Sequence, residues 1–138
     1  MHAIVLEPDR PAPIARQGPV DLNAFARVPL TRDPFDFLVV PGFVPRAAAI
    51  AAADAFPGPF LPGVLPAPGR TPPDAFGDLL RTLRGPGVTA AFGEKFGLDL
   101  NLASLMVTLR ARTRLRDGQI HTDSETKLVT ALLYWNDG

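Results

Sequence analysis

The chain has 138 residues, with 14 Lys and Arg balanced by 14 Asp and Glu, so its formal net charge is zero. This length holds one ordinary domain or a piece of a larger one, and the charge balance offers no electrostatic footprint for nucleic acid or an anionic membrane. The absence of cysteine excludes a disulfide framework, a thiol nucleophile and a zinc–thiolate site, and 16 prolines with 12 glycines exclude a helical bundle or coiled coil. At 46% hydrophobic and 20% charged residues the composition is that of a folded chain. No apolar run approaches the length of a membrane span, and Met1 to Arg10 contains neither a basic leader nor a small-residue cleavage site. The expectation is a soluble, cytoplasmic protein, and the wealth of Ala, Arg, Gly and Pro points to a GC-rich bacterial genome.

Along the chain, residues 1–34 read as an extended, proline-rich arm, punctuated by Pro8, Pro11, Pro13, Pro19, Pro29 and Pro34. The run Asp36-Phe37-Leu38-Val39-Val40, stopped by Pro41-Gly42, predicts a strand. Pro45 then opens a helix over 46–56, where alanine, the best helix former, dominates. Residues 57–73 carry seven prolines and three glycines and predict a long loop, the kind of segment that reads substrates. Thr71, with Pro72, Pro73 and Asp74, marks a cap and first turn for a helix over 73–84, in which Phe76, Leu79, Leu80 and Leu83 share one face. Gly85-Pro86-Gly87 ends it, and Val88, Ala91, Phe92 and Phe96 predict a shorter helix closed by Gly97.

From Asn101 the apolar period changes to two. In residues 104–112, Leu105, Val107, Leu109 and Ala111 alternate with Ser104, Met106, Thr108, Arg110 and Arg112, which predicts a strand with one greasy and one polar face. Asp117-Gly118 signals a turn. A second strand over 127–135 is apolar on both faces, with Thr130 and Tyr134 contributing its only hydroxyls. The two strands are expected in one antiparallel sheet, with the helices over 46–56 and 73–84 packed on its outer face. Helices first and strands second give an α+β fold class.

His121-Thr122-Asp123 is the triplet with chemical logic. In extended backbone, residues i and i+2 point the same way, so an imidazole nitrogen and a carboxylate oxygen converge as they would on a first-row divalent metal. A solvated turn is the bland alternative for the same triplet. Met106, Thr108 and Arg110 share a strand face that is either an ordinary solvated surface or a pocket wall. Tyr134 by itself reads as a core tyrosine with a local hydrogen bond.

The stretch from Arg112 through Gln119-Ile120-His121-Thr122-Asp123 to Tyr134-Trp135-Asn136 resembles the prolyl 4-hydroxylase-like 2-oxoglutarate/Fe(II)-dependent dioxygenases. In that family a glycine turn leads to His-x-Asp, and a following strand ends in Tyr-Leu-Asn; Trp135 stands where leucine is usual. The close likeness spans roughly residues 104–138, and a looser one reaches back through Phe37–Phe43 and the two longer helices. It implies a double-stranded β-helix (jelly-roll) sheet with N-terminal helices packed on it. Residues 35–138 would then be the N-terminal helices and first strands of an incomplete oxygenase domain.

The resemblance also implies a site. His121 and Asp123 match two ligands of an Fe(II) facial triad. Tyr134, Thr130, Leu132 and Arg110 match positions that hold the cosubstrate 2-oxoglutarate, with Met106 and Thr108 on the opposite wall. Partners would be 2-oxoglutarate, O₂ and a substrate hydroxylated at an unactivated C–H bond, whether a prolyl residue, another peptide side chain or a small molecule. Lys127 receives no role. The chain departs from the pattern in having only two histidines, His2 and His121. It is therefore expected to be the N-terminal portion of a longer enzyme and inactive alone. The competing class is a non-catalytic fragment or binding module of the same fold. Arg110, Arg112, Arg114 and Arg116 predict a solvated or anion-holding surface, not a nucleic-acid site, and no nucleophile or general base is spaced for a metallohydrolase.

Overall fold

The computed structural model describes residues 2–7, 18–58, 63–110 and 125–134. In chain order these form β1 (His2–Glu7), α1 (Leu22–Arg27), β2 (Asp36–Pro41), α2 (Arg46–Asp54), β3 (Leu65–Pro66), α3 (Ala75–Leu83), α4 (Pro86–Phe96), β4 (Thr108–Leu109) and β5 (Thr130–Leu133). The architecture is mixed α/β, with four helices and two small sheets among the described residues. No helix there is long and apolar enough to cross a membrane.

The larger sheet has the order β2-β1-β5, and both of its pairings are parallel. Parallel neighbours need a crossover connection, and α1 lies in the one that joins β1 to β2. Ile4, Leu38 and Val40, which share one face, are fully or almost fully buried. They form one core with Ala49 and Ala52 of α2, Leu79 of α3, and Val88 and Phe96 of α4. Burying apolar surface of this kind contributes about 25 cal/mol per Å², so this one-sided layer is the main source of stability.

Local chemistry sets the helix ends. Asp21 Oδ1 accepts from the Ala24 amide at 2.8 Å, and Asp74 Oδ1 accepts from the Gly77 amide at 2.8 Å. Each satisfies an amide left without a partner in the first helical turn. Gly97 ends α4 at φ 66°, a left-handed conformation that costs glycine little. Six-residue α1 is short for a stable helix and is held by what surrounds it. Phe25 stacks on Phe92 at 4.8 Å between ring centres and meets Phe43 edge-on at 6.0 Å. Lys95 Nζ donates to the Ala26 and Val28 carbonyls at 2.9 and 2.7 Å and lies 5.5 Å from the centre of the Phe25 ring. A cation from α4 thus closes the carbonyl end of α1.

The structure corrects several expectations. Residues 2–7 are the central strand of the sheet and 22–27 a packed helix, so the described part of 1–34 is not an extended arm. Prolines punctuate this stretch, but Ile4 and Phe25 are core side chains, and their burial outweighs the local breaks. Of the strand expected over 104–112, the described part (104–110) is a strand only at Thr108–Leu109, and Met106 is 77% exposed. Alternation produces a strand only where a neighbour supplies hydrogen bonds, and here that neighbour is the two-residue β3 inside the proline-rich loop. For the same reason β4 and β5 do not share an antiparallel sheet: β4 pairs with β3, and β5 pairs in parallel with β1. The cap of α3 is Asp74 rather than Thr71, because the two intervening prolines delay helical geometry until Ala75. The helices at 46–54, 75–83 and 86–96 stand within a few residues of their expected bounds.

Gly77 gives a test of how tightly the proline loop seats α3. A Cβ there would lie 1.7 Å from the Pro72 carbonyl oxygen. In an open helix Gly→Ala stabilises by about 1 kcal/mol. Here the clash, about 1–3 kcal/mol for overpacking, must exceed that gain. Gly77→Ala is expected to lower stability in chemical denaturation, and a variant more stable than the parent would show that the loop yields freely.

Candidate functional site

Strand β5 carries two residues of the expected site, and its alternation decides which way they point. Val129 and Leu133 pack against the helix-covered core. Successive strand side chains alternate, so Thr130 and Leu132 face the opposite side of the sheet. The register fixes their neighbours there: Ala3 lies beside Thr130, and Val5 beside Leu132. Across β1, Ala3 pairs with Phe37 and Val5 with Val39. The outer face is thus two short rows, Thr130-Ala3-Phe37 and Leu132-Val5-Val39. Leu132 is 46% exposed, unusual for an apolar residue in a parallel sheet, whose faces are both normally covered. Tyr134, one residue past β5, is 51% exposed and so is not a core tyrosine.

The other expected site residues separate. Thr108 lies in β4, with Met106 shortly before it and Arg110 directly after it, and all three are exposed. This segment belongs to the small β3-β4 sheet, so strand pairing does not bring it beside Thr130 and Leu132. His121 and Asp123 lie outside the described residues, as do Arg112, Arg114 and Arg116. Among the described residues, no group of three or more His, Asp or Glu is placed to hold a metal ion.

His2, the remaining histidine, is fixed rather than trailing. It pairs in register with Asp36, on the same face as Ile4 and Leu38. Its ring sits 5.0 Å from that of Phe96, and its Nδ1 lies 3.6 Å from Asp36 Oδ2, beyond hydrogen-bond range. Asp36 is also approached by Arg32 at 3.4 Å. His2 therefore faces the helices, on the opposite side of the sheet from Thr130 and Leu132.

Ala3 and Val5 were given no role by the sequence reading, yet they are the direct neighbours of Thr130 and Leu132. The usable signal was the run Ala3-Ile4-Val5-Leu6, a continuous apolar stretch of the length of a buried strand, bounded by Pro8. An open groove beside α4, lined by Thr89, Glu94, Asp99 and Asn101 among others, contains none of the expected site residues. Within it, Asp99 Oδ1 accepts from the Asn101 amide and side chain at 3.0 and 2.8 Å.

Comparison with protein-family models, curated proteins and solved structures finds no match for this chain.

The sidedness of β5 predicts a difference between adjacent leucines. Leu133→Ala removes a side chain packed on the core and is expected to cost about 2 kcal/mol. Leu132→Ala removes one that stands half in solvent and is expected to cost less than about 1 kcal/mol. Equal losses in urea denaturation, or a larger loss at Leu132, would reverse the assignment of faces.

Proposed function

We propose that this chain belongs to an Fe(II)/2-oxoglutarate-dependent oxygenase that hydroxylates an unactivated C–H bond in a peptide or small-molecule substrate. The observation that carries this reading is the order of chemistry-bearing residues in one stretch: His121-Thr122-Asp123, then Thr130, Leu132 and Tyr134-Trp135-Asn136. Its finer fold expectation, a jelly-roll of which β5 is one strand, belongs to the same proposal. Thr130 and Leu132 stand on the side of β5 away from the helices, which is where this reading puts the cosubstrate; the parallel pairing of β5 with β1 is not that of a jelly-roll, whose strands run antiparallel.

In kind, the donors suit the metal: one imidazole and one carboxylate are ligands that Fe(II) accepts while keeping positions open. In number, a facial triad takes three donors, and His121 and Asp123 are two. His2, held among Asp36 and Phe96 on the helix side, is not the third. Bound Fe(II), 2-oxoglutarate and O₂ would supply the oxidising chemistry, converting C–H to C–OH with release of succinate and CO₂.

The work of the chain's own residues is binding and shielding. The phenol of Tyr134 donates a hydrogen bond to the far carboxylate of 2-oxoglutarate, and the Thr130 hydroxyl stands on the same strand to do likewise. Leu132 and its neighbour Val5 line the slot with apolar surface. Leu132 and Tyr134 stand 46% and 51% exposed, so a bound substrate would have to exclude water for these hydrogen bonds to gain from a low dielectric. Arg110 remains a candidate for a substrate or cosubstrate oxygen only if the β4 segment, with Met106 and Thr108, closes over this face. The separation of β4, with Thr108 and Arg110, from β5 favours the second reading, a non-catalytic binding module of the same fold.

Three measurements separate these readings. In the full-length protein, His121→Ala and Asp123→Ala are each expected to abolish succinate release and weaken Fe(II) binding in anaerobic titration, with the fold intact by circular dichroism. Turnover retained in both variants would end the iron-site assignment.

Tyr134→Phe is expected to raise the KM for 2-oxoglutarate about tenfold, since a hydrogen bond to a charged group is worth about 1.5 kcal/mol. An unchanged KM would remove Tyr134 from the site.

Residues 1–138 expressed alone, with His121 and Asp123 as triad donors, are expected to bind Fe(II) weakly and to release no succinate. Succinate release at a rate comparable to the full-length protein would show that a third ligand lies within these residues.

A further inference from the structure

We draw no further inference here: the strongest candidate, the outer apolar face of the β2-β1-β5 sheet formed by Val5, Phe37, Val39 and Leu132, carries nothing because nothing in the structure shows what covers it.

Discussion

The parallel pairing of β1 with both β2 and β5 is the constraint on which the rest of the structure depends. Every strand pairing in the larger sheet passes through β1, and without it neither neighbour has a partner in that sheet. Ile4, fully buried at its centre, ties the sheet to the core side chains of α2, α3 and α4. The pairing also joins the two ends of the described chain. Closing so long a loop costs entropy that grows only slowly with length, about 0.6 kcal/mol per doubling, so buried apolar area can offset it. A contact of such long range forms late and gives little local reward, so β1 and β5 depend on the helical layer for their order.

That helical layer is held by specific contacts as well as by burial. Lys95 binds α4 to the end of α1 through two carbonyl oxygens, and Phe25, Phe43 and Phe92 fill the space between α1, α4 and the end of β2. The arginines of α3 hold the proline loop in a similar way: Arg81 donates to the Pro72 carbonyl and Arg84 to the Pro68 carbonyl. These side chains satisfy backbone oxygens that irregular, proline-rich backbone cannot pair with itself. In the described part of the loop these contacts and the two-residue β3 set its path beside α3.

Among the described residues, one face of the sheet packs on the helical layer. Thr130 and Leu132 project from the other face with Ala3 and Val5 beside them, while His2 is turned into the packed one. The proposed oxygenase would use this division, with helices bracing one face of the sheet and the cosubstrate held on the other. His2, turned toward Phe96 behind the sheet, stands on the opposite face from Thr130 and Leu132.

The sequence by itself determined the elements whose causes are local. Alanine content places α2, the spacing of Phe76, Leu79 and Leu80 places α3, Gly97 closes α4, and the apolar run from Phe37 to Val40 forms β2. From type and spacing alone it also offered His121 and Asp123 as a candidate donor pair, while Thr130 and Tyr134 entered only through the family resemblance. Tertiary structure decided the pairings. The run Ala3-Ile4-Val5-Leu6 has the length of a strand, but only the register with β2 and β5 makes it the central one. The alternation from Leu105 to Leu109 seemed stronger, yet it became two paired residues because its partner is the short β3. Periodicity reports which side chains can be buried, whereas a strand also needs a neighbour for its amides and carbonyls. That neighbour is chosen by contacts distant in sequence, and no local pattern encodes them.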